Sequence, residues 1–187
     1  MAQAAVSSAS SKTPVGVFGM VLFIASELMF FGGLFASYFM IRSATPKWPP
    51  DGISLDLKEP TVLTAVITLT TVTIYLARRG IGRDDVAAMR RWVWATFALG
   101  LCFLAIEYHE WANTDFKIST NAYGSLFYTM TGFHGLHVLI GLALLLGLIA
   151  ASRRPVQARG GAEAIAYYWH FLYAVWLGLY GVIYLLR

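Results

Sequence analysis

Glu27, His134, His137, His170 and Glu107 are the residues whose types could do chemistry, and all five lie in long apolar runs. Glu27 stands in GMVLFIASELMFFGGLFASYFM, flanked on both sides by apolar and small residues. Counted from Val15 it lies ~18 Å into the run at helical rise. A carboxyl at that depth needs a partner or a proton, because an isolated charge in an apolar medium is costly. His134 and His137 stand in YGSLFYTMTGFHGLHVLIGLALLLGLIAAS, Tyr123 to Ser152. They are three apart, which turns them toward one side of a helix. Thr129 and Thr131 precede them, and Gly132, Gly135 and Gly141 would let a neighbouring helix approach closely. His134 falls at ~16 Å from the start of its run. The two helices run in opposite directions, so these levels are similar, and a Glu27–His134 hydrogen bond is expected. His137 is about one turn further on, roughly level with His170 of the last apolar run. Glu107 and Glu110 lie near the end of the third run, in AIEYHEW, where Glu110 and His109 are expected at the membrane interface.

Three kinds of chemistry compete for this set. The first is a satisfied polar network that fixes helix packing. The second is a metal site. Bundle di-metal sites use Glu-x-x-His from two helices, and that pair is absent; HGLH lacks the carboxylate of the HExxH zinc motif. The third is proton handling or lipid contact, which a buried carboxyl beside imidazoles would suit. Gly-rich phosphate loops, serine triads and CxxC pairs do not occur.

The elements that must position these residues are five apolar segments. They run from about residue 15 to 41, 60 to 77, 92 to 111, 123 to 152 and 164 to 186. Each is long enough to cross a bilayer of ~30 Å. The composition agrees: of 187 residues 58% are hydrophobic and 13% charged, and the mean hydropathy is +0.62. A soluble domain carries about 25% charged residues. The expected fold is an all-α bundle of five transmembrane helices forming one domain, residues 15–187. The Ala/Ser-rich residues 1–14 read as a disordered arm and not a signal peptide. Pro14 and Pro60 suit helix starts, where the missing N–H is not needed.

The net charge of +4 does not call for nucleic acid, because the basic residues lie between apolar spans. One side receives Lys12, Arg78, Arg79, Arg83, Arg90, Arg91, Arg153, Arg154 and Arg159. The other receives fewer bases, mixed with Asp51, Asp56, Glu59, Glu110 and Asp115. The positive-inside rule then places the N-terminus inside and the C-terminus outside. Trp48, Trp92, Trp111 and Tyr123, near segment ends, suit an aromatic belt. KWPPDGISLDLKEP reads as an irregular outer cap, and RRGIGRDDVAAMRR as a solvated inner turn. Cys102, alone in an apolar run, is expected to be packed in the core.

The blocks SELMFFGGLFASYFMIR with WPP, EYHEW, YGSLFYTMTGFHGLHVLIG and YYWHFLYAVWLGLYGVIYLL are specific enough to name a family. The chain resembles subunit III of the haem–copper oxidases, the cytochrome c oxidase polypeptide III family, in its five-helix bacterial form. The resemblance implies a subunit of a proton-pumping respiratory oxidase that reduces oxygen to water. It implies no haem or copper in this chain, both being held by partner subunits. The partners would be oxidase subunit I, subunit II, a subunit IV or other respiratory proteins, and structural phospholipid, in a bacterial inner membrane. The family's buried glutamate falls on Glu27, its histidines on His134, His137 and His170, and its outer-end glutamate on Glu107. These would be structural and proton-environment residues, and none a redox ligand. Arg42, Trp48, Trp169, Tyr173 and Trp176 are the candidates for lipid or subunit contact.

Two departures stand out. Longer members have seven helices, with a lipid-filled cleft between the first two and the rest; this chain lacks that pair. The last block usually reads Trp-His-Phe-Val-Asp-Val-Val-Trp, and Tyr173 stands at the aspartate. A cytochrome c oxidase is the leading reading. A quinol oxidase and the relative that accompanies nitric oxide reductases share the bundle. A stand-alone proton-linked transporter using Glu27 is the rival of another class.

Overall fold

A computed structural model describes residues 15–51, 53, 56–152 and 155–186, with side chains from 158 in the last stretch. The expected N-terminal arm lies outside the described residues. Among them the secondary structure is helical throughout. The helices are α1 (Val15–Ala44), α2 (Lys58–Gly82), α3 (Val86–Asn113), α4 (Ala122–Ala151) and α5 (Pro155–Leu179). A π-helical turn, Tyr180–Leu185, continues α5. All five are long and apolar enough to cross a membrane.

Local chemistry sets several ends. Asp85 caps α3 by accepting from the Ala88 amide at 2.8 Å, and Asn121 caps α4 by accepting from Gly124 at 2.8 Å. Between α2 and α3 only Arg83–Asp85 remain, with Asp84 in the left-handed region at φ 62°. Asp is one of the few residues that enter it readily. The turn between α2 and α3 is therefore much tighter than the sequence suggests. α2 runs on through Arg78 and Arg79, whose long side chains reach out from the helix end.

α5 is the hub, packed against α1, α2 and α4. α2 lies along α3, α3 meets α4, and α4 touches α1. The helices interlock on buried aromatics, chiefly Trp169, Trp176, Tyr168, Phe103 and Phe31. This corrects the expectation for Trp169 and Trp176: both are fully buried, so neither meets lipid. Trp176 Nε1 donates to Thr64 Oγ1 at 2.9 Å, tying α5 to α2. Tyr173 is half-buried against the core. Cys102 corrects a second expectation, because it is exposed on the outward side of α3 beside Leu101. α1 is held along one stripe only, Val17, Phe31 and Tyr38.

A polar clamp closes the bundle where α1 ends and α5 terminates. Tyr38 Oη donates to the Val182 carbonyl at 2.9 Å, and Tyr123 Oη to the Ile183 carbonyl at 3.1 Å. Trp48 Nε1 donates to Tyr38 Oη at 2.8 Å. Trp48 and Tyr123, expected in an aromatic belt, pack edge-to-face with ring centroids 5.1 Å apart. Tyr38→Phe leaves a buried carbonyl and the Trp48 N–H short of a partner. It is expected to cost about 1–3 kcal/mol, read as an earlier unfolding midpoint in an SDS titration.

Candidate functional site

α1 and α4 meet at one polar contact inside the apolar layer. His137 Nε2 lies 3.0 Å from Glu27 Oε2. The His137 side chain is 7% exposed and that of Glu27 20%, the carboxyl looking out through the α1/α4 seam. His137 Nδ1 lies 2.6 Å from the Phe133 carbonyl, which can only accept, so Nδ1 carries a proton. The Glu27 contact then holds one further proton, either on the carboxyl or on Nε2. Both states satisfy the hydrogen bond, so the pair can keep or pass one proton without breaking its geometry. Tyr168 Oη donates to the His137 carbonyl at 2.8 Å, and Phe31 packs edge-on to the imidazole at 5.2 Å. Tyr168 is a member that sequence reasoning passed over. Its signal was a phenol inside an apolar helix, which needs a partner for its O–H.

The expected partner of Glu27 was His134, and the structure corrects this. From the end of the bundle that carries Ala44 and Ala122, Glu27 lies ~26 Å down, His137 ~23 Å and His134 ~18 Å. Three residues also fall about 60° short of a full turn. His134 therefore turns away from α1 into the aromatic core, with ring centroids 5.5 Å from Phe103 and 5.3 Å from Trp176. It is fully buried, and neither ring nitrogen has a hydrogen-bond partner among the described residues.

His170 does not join the pair. Tyr168 is the α5 residue at His137, and His170, two residues on, is turned about 200° round the helix. It is exposed, and its Nδ1 donates to the Ala166 carbonyl at 2.6 Å. Glu107 is 4% exposed and lies over Gly135, where an added Cβ would stand 2.5 Å from its Oε2. Its Oε1 has no partner among the described residues. Glu110, expected at the interface, is instead buried and accepts from Tyr184 Oη at 2.8 Å. His109 is exposed and meets Glu59 of α2 at 2.9 Å. Arg42 and Trp48 are half-buried at the end of α1. Among the described residues no group of three or more His, Cys, Asp or Glu is placed to hold a metal ion.

Comparison with known proteins identifies the family. Residues 9–187 match the family described as cytochrome c oxidase subunit III. The cytochrome c oxidase subunit 3 of Thermostichus vulcanus is 39% identical over 186 residues, 97% of this chain and 92% of that one. The probable cytochrome c oxidase subunit 3 of Nocardia farcinica is 40% identical over 177 residues, 90% and 87% of the two chains. The cytochrome c oxidase subunit 3 of Synechocystis is 38% identical over 175 residues, 91% and 75%.

Proposed function

This chain belongs to the cytochrome c oxidase subunit III family and is subunit III of a haem–copper oxidase, and from that premise we propose how it serves the complex. It is a non-catalytic subunit of the bacterial inner membrane, N-terminus inside, that packs on oxidase subunit I and carries phospholipid. Haem and copper belong to the partner subunits, with subunit II as the entry point for electrons. Glu27 and His137 support proton uptake at the seam between α1 and α4. The observation that carries this reading is their 3.0 Å contact, which holds one transferable proton at a carboxyl still partly open to the outside of the bundle. α1 supports the docking role, because its apolar surface is covered along one stripe only and leaves Phe18, Leu22 and Met29 exposed. The names of the relatives support cytochrome c as the electron donor over a quinol.

The test is purification through a tag on this chain in a mild detergent, followed by a visible spectrum and oxygen consumption. Haem bands with oxygen uptake driven by cytochrome c are expected. Colourless material containing this chain alone overturns the assembly reading. In the intact complex Glu27→Gln keeps a hydrogen-bonding group but cannot pass a proton. Its initial rate is expected to stay within about two-fold, while activity decays several-fold faster over successive turnovers. An unchanged lifetime leaves the pair a purely structural contact.

A further inference from the structure

Glu107 is a buried carboxyl that the Glu27 pair leaves without a task. It lines a cleft of about 360 Å³ between α3 and α4. Leu104, Tyr108 and Trp111 form the α3 wall with it, and Leu136 and Leu139 stand on the α4 wall. Tyr108, Leu136 and Leu139 are exposed, so the cleft opens on the outside of the bundle. Two polar atoms of the lining residues, Glu107 Oε1 and Trp111 Nε1, are buried with no hydrogen-bond partner among the described residues. Each costs stability until something pairs with it. The terminal carboxyl torsion of Glu107 is soft, so a small turn presents an oxygen to the cleft.

The glycines of α4 leave no room here for another helix. The Trp111 ring lies over Gly132 and the Glu107 carboxyl over Gly135, where added Cβ atoms would stand 3.3 and 2.5 Å from them. The close approach that a transmembrane helix makes at small residues is thus already taken up within the chain. What remains is a pocket at the small end of the range for ligand sites.

Depth excludes a phospholipid head group. Glu107 lies ~9 Å inside the Asn113 end of α3, and Gly135 beneath it ~20 Å inside the Ala122 end of α4. Helices of 28 and 30 residues overhang a ~30 Å hydrocarbon layer by only ~6 and ~7 Å at each end. Either count puts the carboxyl inside that layer. A phospholipid offers only acyl chain there, and acyl chain has no hydrogen-bonding group.

The occupant must therefore be neutral, dissolve in hydrocarbon and answer both polar atoms. A hydroxyl does so in either proton state of Glu107. It accepts from the indole N–H and donates to a carboxylate, or it accepts from both the N–H and the acid O–H. A flat ring carrying that hydroxyl packs well beside the rings of Tyr108 and Trp111. Tyr108, 73% exposed, adds a phenol O–H at the mouth for a second ring oxygen.

We propose that this cleft binds a membrane-dissolved hydroquinone, one ring hydroxyl between Glu107 and Trp111 and the other at Tyr108, its apolar tail leaving past Leu139. The site is one of binding, with no electron transfer in it. It leaves cytochrome c as the electron donor and does not depend on the Glu27 pair.

The test uses a hydroquinone with a decyl tail that carries a diazirine, added under nitrogen to the complex purified in mild detergent. Labelled peptides are mapped by mass spectrometry after illumination. Labelling of α3 between Leu104 and Trp111 and of α4 between Gly132 and Leu139 is expected. The dimethyl ether of the same probe keeps ring and tail but has no O–H. It should label the site at least about five-fold less, the effect of the lost donor. Trp111→Phe should lower the hydroquinone yield about five-fold, and Glu107→Leu by more. Should Glu107→Leu fold poorly, Glu107→Gln keeps the shape of the side chain and should still lower the yield about two-fold. Glu27→Gln, at another seam, should leave labelling unchanged. Labelling that persists in material lacking haem supports the site while removing the oxidase reading. Equal yields from hydroquinone and ether, or a yield indifferent to Trp111 or to Glu107, mark plain partition into an apolar cleft and overturn the proposal. So does the absence of label from both peptides, whether water or a partner's side chain fills the cleft.

Discussion

Trp176→Ala is expected to lower the stability of the bundle by about 3 kcal/mol. The indole is fully buried, 4.9 Å from the Phe103 ring and 5.3 Å from the His134 ring, and its N–H reaches Thr64 on α2. It therefore joins α5 to α2, α3 and α4 at once. In water such a truncation costs about 3–5 kcal/mol, part of it the lost transfer term. In lipid the alternative surroundings are as apolar as the core, so that part shrinks and the cavity and lost dispersion remain. The lower end of the range follows. Thr64 is not orphaned, because its hydroxyl already donates to the Pro60 carbonyl at 2.8 Å. Unfolding in SDS mixed micelles reads the effect, and co-purification with partner subunits should fall with it. Trp94→Ala is the control, since Trp94 is 48% exposed and should change the isolated chain by no more than about 0.5 kcal/mol. Equal shifts for the two tryptophans would show that α5 is not the hub.

That contrast also marks where reading the sequence stops. Five spans were legible because a run of twenty apolar residues has few other fates. What each side chain meets was not. Trp169 and Trp176 sit in a helix that is apolar all round, and such a helix offers no polar face to separate core from lipid. The same ambiguity hid the outward turn of Cys102. Glu110 lies close enough to its helix end to suggest the interface, yet Tyr184 from the end of α5 closes over it. The chemical set itself was legible, because Glu27 and the histidines are costly in an apolar run. The choice of partner was not, since it turned on a 60° rotation and a difference of ~5 Å in depth, and both are fixed by neighbouring helices.

His134 and His137 are therefore expected to respond to the same substitution with opposite signs. His137→Leu removes the contact with Glu27 and the one with the Phe133 carbonyl, and it leaves a largely buried carboxyl without its imidazole. A loss of about 2–3 kcal/mol follows. His134→Leu removes a fully buried ring whose nitrogens have no hydrogen-bond partner among the described residues. The desolvation cost of those nitrogens disappears, and leucine still fills most of the space beside Phe103 and Trp176. A gain of about 1 kcal/mol follows, net of the lost ring contacts. Unfolding midpoints of the two variants, measured side by side, should fall on opposite sides of the parent. Double-mutant cycles with Glu27→Gln add a second reading. The cycle through His137 should show coupling of about 1 kcal/mol or more, and the cycle through His134 less than about 0.5 kcal/mol. A destabilised His134→Leu with strong coupling to Glu27 would place the functional pair one turn away, on the histidine expected from the sequence alone.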